Sequence, residues 1–245
     1  YPNSPELGPD GFFHVLWVWR DTPDCSSNHD ISYARTRDFE HWENISGKPL
    51  SLPIRLGDDV VVDAVPPKGG LLNGFCRVGF DAAGRVILSY MKYDSKGVNQ
   101  IYNARWRDGK WQAVQASSWT NRCEFSGYGC IPPIGISFSK AELCDGGELV
   151  QSFRNNGSGG RWALDPETLR VSGSAKSKPR FSLPPESYRK ERKEHDMSIN
   201  HGWDVCADPA THVSSDGSVW TLEWESRPPN RDQPYPGPIP PPSTL

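Results

Sequence analysis

The sequence predicts an all-β chain whose small antiparallel sheets repeat in the manner of a β-propeller, and three observations carry that prediction. A strand–strand–turn unit recurs along the chain, 23 Gly and 23 Pro among 245 residues supply breaks and turns, and no sustained helical periodicity is found. The unit is fullest from Asp10 to Trp42, DGFFHVLWVWRDTPDCSSNHDISYARTRDFEHW. An Asp-Gly turn opens it, an apolar and aromatic run from Phe12 to Trp19 ends on Arg20, and a polar loop carries Asn28, His29 and Asp30. A second run, Ile31 to Arg35, is closed by an Asp38…Trp42 turn. Short β-branched and aromatic runs between Gly, Asp, Asn and Pro read as paired strands.

Taken in order, residues 1–9 read as the incoming inner strand of the first sheet. Gly47 to Ile54 is extended and limited by proline, and a valine cluster lies between acidic residues from Asp58 to Asp63. Residues 73–80 read as the next inner strand. The plan then repeats from Gly84, with RVILSYMKYD, IYNAR (Ile101 to Arg105) and Asp108…Trp111. Trp119 to Gly135 is a long loop feeding a third unit, which starts at Gly147 with ELVQSFRNN and continues in RWALD (Arg161 to Asp165). Ser172 to Pro185 carries no usable pattern, and the charged run Ser187 to His195 reads as an exposed loop or single turn. Gly217 opens a fourth unit, SVWTLEWESR, and the tail 227–245 is polyproline-like and expected on the surface. About four units are therefore expected in one domain spanning 1–245.

A formal net charge of −3 gives no case for nucleic acid or a membrane surface as partner, and no apolar run approaches the ~20 residues of a spanning helix. Ten Trp suit both sheet packing and carbohydrate stacking. The six cysteines show no CxxC spacing; they read as buried thiols, with a Cys123–Cys130 disulfide as the alternative. Two sequons, Asn44-Ile45-Ser46 and Asn156-Gly157-Ser158, lean towards an extracellular protein.

In a propeller, equivalent strand ends share one face. The exits expected at Arg20, Tyr93, Arg154 and Glu225 would then line one funnel, with His29 starting the paired strand beside it. Guanidinium groups there suit an anionic ligand, since the fork binds a carboxylate bidentately. Arg20 and His29 are the candidate catalytic residues; Asn28, Tyr93, Arg154 and Trp203 are the candidate substrate contacts. His14, alternating with Phe12 and Leu16, reads as structural, and His41 as exposed. His201, Cys206 and His212 could hold a structural zinc or calcium ion, although their spacing fits no standard zinc motif; no cofactor is needed for the chemistry considered.

The stretch DGFFHVLWVWRDTPD…NHDISYARTRDFEHWEN…G…LPI resembles the BNR-repeat-containing family that includes ulvan lyases and L-rhamnose-α-1,4-D-glucuronate lyases, and SFRNNGSGG and LEWESRPPNRDQP are compatible with it. The resemblance implies a seven-bladed propeller, secreted, that cleaves a rhamnose- and uronate-containing polysaccharide by β-elimination. It implies an arginine that neutralises the uronate carboxylate, a role carried onto Arg20, with His and Tyr as acid and base. The family's upstream His and Tyr are expected to precede Tyr1, so that the chain would be the C-terminal portion of a larger propeller that pairs with the remaining N-terminal part. Two other classes stay open. A glycoside hydrolase would recruit Asp30, Asp94 and Glu225, and a non-catalytic sugar-binding propeller would use Trp17, Trp19 and Trp203.

Overall fold

The computed structural model describes residues 1–129, 134–144, 146–175, the backbones of 198–203 and 221–226, and residue 233. They fall in two units, Tyr1–Ala175 and Lys176–Leu245. The architecture is all-β: apart from one 3-10 turn at Cys25–Ser27, every regular element among the described residues is a strand.

The first unit holds three antiparallel sheets. In the first, β1 (Glu6–Leu7), β2 (Phe13–Arg20), β3 (Asn28–Thr36), β4 (Trp42–Glu43) and β5 (Pro49–Leu50) lie side by side in chain order, and β6 (Val61–Asp63) adds to β3. The second orders β7 (Cys76–Phe80), β8 (Val86–Tyr93), β9 (Asn99–Arg107) and β10 (Lys110–Gln115). In the third, β11 (Ile136–Phe138) and β12 (Glu142–Leu143) both pair with β13 (Leu149–Asn155), followed by β14 (Ser158–Leu164) and β15 (Val171–Ser174). These are blade-like sheets of the kind a propeller repeats, although the described sheets do not close a ring. The second unit contributes the antiparallel pair β16 (Ser198–Trp203) and β17 (Thr221–Ser226).

Sequence explains why the sheets stack. Val86 to Met91 are all buried, on both faces of β8, because the second sheet is covered on either side. On one side Leu16, Val18, Ile31 and Tyr33 meet Val78, Leu88, Tyr90 and Ala104. On the other, Met91 and Ile101 pack with Ile136 and Phe138, and Ile87 packs with Ala141, Leu149 and Leu164. Each such side chain contributes roughly 1.5–3 kcal/mol by leaving water. The spacing of sheets two and three depends on Gly79 of β7: a Cβ there would lie 1.9 Å from the Ala141 carbonyl oxygen.

The turn glycines behave as their repetition suggests. Gly11, Gly84 and Gly147 have φ of +76°, +73° and +80°, the left-handed conformation that glycine adopts without penalty. Several elements were not legible, among them β6, which pairs with β3 through Ile31 and Asp63, β10, where the sequence shows only the Asp108…Trp111 turn, and β15, which overlaps the stretch from Ser172 that shows no pattern. The Ser187–His195 run, Gly217 and all but Gln233 of the 227–245 tail lie outside the described residues.

The sequons differ in setting. Asn44 is 3% exposed, and its side chain accepts from the Ser46 and Lys48 backbone and donates to the Asp59 carbonyl. It is therefore a turn-forming residue, not an acceptor for a glycan. Asn156 is exposed at the tip of the β13–β14 hairpin. Cys76, Cys123 and Cys144 are free thiols. Cys123 donates to the Ile134 carbonyl, and Cys130 lies outside the described residues.

Candidate functional site

Three strand ends of the first unit are linked through loops: β2 ends at Arg20, β8 at Tyr93, and β13 at Asn155, one residue beyond Arg154. Lys68 N–H is bonded to the Ser26 carbonyl, Tyr93 N–H to the Gly69 carbonyl, and the Asn121 amide to Asn155. The returning strand β3 begins at Asn28, opposite Arg20.

Arg20 and His29 stand at this end of the β2–β3 pair but do not pair with each other. In the β2–β3 register Arg20 stands opposite Asn28 and Trp19 opposite His29. The Arg20 guanidinium bends back onto its own loop, donating from Nε to the Thr22 carbonyl at 3.0 Å and from Nη2 to the Pro23 carbonyl, and it lies over the Tyr1 ring. Its packing is thus with a loop, and not with the strand surface that alternation alone suggests.

His29 is held from both sides, with Nδ1 2.8 Å from Asp30 Oδ2 and Nε2 3.1 Å from Asp21 Oδ1. Asp30 is skipped in the β2–β3 pairing and has φ +44°, so it forms a bulge that sets the direction of His29. The bulge is fastened to the segment 61–70, which crosses from the first sheet to the second: Asp30 N–H donates to the Val65 carbonyl, and Val65 N–H donates to Asp30 Oδ1.

Asn28 is 1% exposed. Its amide donates to the Leu71 carbonyl and to Asn73 Oδ1, so it fastens β3 to the segment leading into the second sheet and offers a ligand no surface.

Tyr93 lines a cleft of about 210 Å³ with Ser26, Lys68, Arg122, Glu124 and Phe125. Its hydroxyl donates to the Cys123 carbonyl at 3.0 Å, and the Arg122 guanidinium lies 4.2 Å above its ring. Burial raises its phenol above the ordinary value, with Arg122 opposing. Gly70 also approaches so closely that a Cβ would stand 2.7 Å from the ring. Tyr93 is thereby a fixed wall of the cleft. Arg122 also donates to Glu124 and to the Gly97 carbonyl.

Arg154 is exposed opposite Ser137 of β11, with no ion pair among the described residues. It is the freest guanidinium of the expected set. Trp203 and His201 are placed only as backbone, opposite Thr221 and Glu223, and Glu225 opposite Ile199. Cys206 and His212 lie outside the described residues, and among the described residues no group of three or more His, Cys, Asp or Glu could hold a metal ion.

Lys68, Arg122 and Asp21 were missed. The run PPKGG, residues 66–70, is a turn signature that could have flagged Lys68. Nothing local marks Arg122, which comes into place through a long loop. Within the crossing segment, Asp63 Oδ2 accepts from the Tyr90 hydroxyl and from Lys92 Nζ, each at 2.6 Å. Burial, with Asp63 alongside, raises the Tyr90 phenol well above its ordinary value, so this tyrosine stays neutral and structural.

His14 and His41 match their expected roles. His14 is 2% exposed and bonds to the Tyr33 hydroxyl and Asp10 near the opposite end of the strands; the His41 side chain is 85% exposed.

Residues 1–119 match the model of a family described as BNR repeat-containing family member, so the resemblance seen in the Asp10–Trp42 stretch is borne out over that part of the chain. No curated protein matches. Among solved structures, a PL25 ulvan lyase bound to -[GlcA(1-4)Rha3S]- aligns at 14% identity with a TM-score of 0.48. The alignment covers 71% of this chain and 41% of the lyase, and the unliganded lyase aligns equally. A fucose lectin from Kordia zhangzhouensis, in complex with methyl-fucoside, aligns at 12% identity and a TM-score of 0.33, covering 70% of this chain and 98% of the lectin. The chain thus spans less than half the length of the ulvan lyase it resembles.

Proposed function

We propose that the chain is part of a secreted polysaccharide lyase that cleaves a rhamnose- and uronate-containing glycan by β-elimination next to the uronate. The observation that supports this reading is the Tyr93 cleft, where Lys68 and Arg122 come together, with Arg20 and His29 at the neighbouring end of the β2–β3 pair and Arg154 next to the end of β13. A cationic rim of this kind suits an anionic glycan chain, with further blades from the rest of the protein completing the surface.

Elimination asks for two things of such a rim. The proton on C5 of the uronate becomes removable when its carboxylate is paired with a cation, because charge spreads onto the carboxylate as the proton leaves. A base takes that proton, the C4–O bond breaks, and the electron pair departs with the glycosidic oxygen, leaving a C4–C5 double bond. Arg20 has the first role on this reading: its Nη1 is not used by the loop. Arg154, exposed and without an ion pair among the described residues, is the alternative. His29 has the second role once Asp21, whose side chain is 59% exposed, releases Nε2.

A non-catalytic sugar-binding propeller is the second reading, and one observation favours it: both His29 nitrogens are engaged, as is the Tyr93 hydroxyl. Incubation with a glucuronate-containing polysaccharide separates the two. Ultraviolet absorbance from the new double bond supports the lyase; binding with no product supports the binding module. Reducing ends released without that absorbance would mean hydrolysis.

A further inference from the structure

Lys68 occupies a backbone position that a lysine is poorly suited to fill. Pro66 to Gly69 form a turn closed by the Gly69 N–H to Pro66 carbonyl bond at 3.0 Å. Pro67 is its second residue and Lys68, at φ +63°, its third. In a turn with proline second and positive φ third, that third place belongs to Gly or Asn. A strained conformation held by its surroundings points towards a use for the residue that bears it. Here the surroundings hold it firmly: Lys68 N–H donates to the Ser26 carbonyl, and the carbonyl of the next residue, Gly69, accepts from Tyr93 N–H.

The side chain that this strain retains is an ammonium at the rim of the Tyr93 cleft, and among the described residues it has no carboxylate or carbonyl partner. Arg122 supplies a second cation to the same cleft, partly offset by Glu124. Ser26 adds a polar group, and Tyr93 with Phe125 makes the wall apolar. At about 210 Å³ the cleft is below the ~300 Å³ at which drug-sized pockets begin and admits a ligand of about one sugar ring.

We propose that this cleft is a subsite for one carboxylated sugar residue, its carboxylate held by Lys68 and Arg122 and its ring set against the Tyr93–Phe125 wall. The site is separate from the Arg20 and His29 side chains. It rests on the carbohydrate reading above but not on any bond being cleaved.

The test is a titration of the full chain with methyl glucuronoside, methyl glucoside and a sulfated methyl glycoside, followed by calorimetry or nuclear magnetic resonance. It is repeated on Lys68→Gly and Arg122→Gln. Lys68→Gly is the informative variant because glycine relieves the positive φ: its melting temperature should equal or exceed that of the unchanged protein. Its affinity for the glucuronoside should nevertheless fall at least about tenfold, with Arg122→Gln falling in the same direction. Equal affinity for glucoside and glucuronoside, preference for the sulfated sugar, no binding of the glucuronoside, or full binding by Lys68→Gly would each overturn the proposal. Glucuronoside binding lost in Lys68→Gly, in a protein that eliminates no polysaccharide, would uphold the subsite while removing the lyase reading. Normal elimination with unchanged KM in Lys68→Gly would do the reverse.

Discussion

The Asp24 carboxylate accepts the Gly127 backbone N–H at 2.8 Å, joining positions 103 residues apart. The Cys25 N–H returns a bond to the Gly127 carbonyl at 2.7 Å. The loop between β2 and β3 is thus clasped to the loop that feeds the third sheet, beside the Tyr93 cleft. The backbone N–H groups of Ser26 and Gly127 hold the Asp24 carboxyl below its ordinary 3.8. Its contribution is therefore present above that value and is lost as pH falls through the lower folded value. Asp24→Ala should speed amide hydrogen exchange at Gly127 and Cys25 while leaving β8 and β9 protected. Unchanged exchange at Gly127 would show that the clasp is not held by this carboxylate.

The His14–Tyr33 pair predicts a response to acid. Burial, the largest influence, pushes His14 below 6.5, with Asp10 opposing. Folded His14 takes up a proton less readily than unfolded His14, so stability should fall as pH drops from about 6.5 through the folded value. Asp10 adds to this lower down. Burial alone would raise its carboxyl, but the bonds from His14 and Phe12 hold it below 3.8, so its contribution too is lost in acid. The urea midpoint should be lower at about pH 5.5 than at about pH 7.5, and His14→Gln should flatten the difference.

Tyr33→Phe keeps the ring but removes the hydroxyl that lies 2.6 Å from His14 Nδ1. It should cost about 1–3 kcal/mol, the penalty of leaving a buried polar atom without a partner. A loss below a few tenths of that in urea unfolding would mean that His14 finds another partner.

Gly79→Ala should destabilise more than a typical surface change, because the added carbon meets backbone and not a movable side chain. Overpacking of this kind costs about 1–3 kcal/mol or more. Denaturant unfolding of the variant gives the value directly, and a neutral result would mean that the two sheets can slide apart.

Arg20→Ala, in the complete protein acting on a uronate-containing polysaccharide, should lose on the order of 10²-fold in turnover if Arg20 steadies charge that develops during elimination. Arg20→Lys should not restore it, since a point charge cannot replace a fork. Because Arg20 also holds the Thr22 and Pro23 carbonyls, loop exchange rates should be measured in parallel. Near-normal turnover in Arg20→Ala with a large loss in Arg154→Ala would move the role to Arg154.

The strands of the first three units and their exits at Arg20, Tyr93 and Arg154 were legible because alternation, turn glycines and repetition are local properties of the chain. The candidate site was legible only as a set of strand ends. Asn28 reads as a loop residue available to ligand, yet it is buried because Leu71 and Asn73 reach it from a segment 43 and 45 residues away. That Arg20 folds onto its loop, that His29 is caught between Asp21 and Asp30, and that Lys68 stands in a strained turn all follow from tertiary contacts with no periodicity to announce them.

The crossing segment 61–70 has a consequence for how the molecule comes apart. It pairs with the first sheet at Ile31 and Asp63, reaches the second through Tyr90, Lys92 and the Gly69–Tyr93 bond, and touches the β2–β3 loop at Ser26. Sheets one and two therefore share one strip of chain as a common seam, and neither can open while the other keeps its hydrogen bonds to that strip. They should melt as one cooperative unit, with the third sheet free to exchange its amides on a schedule of its own.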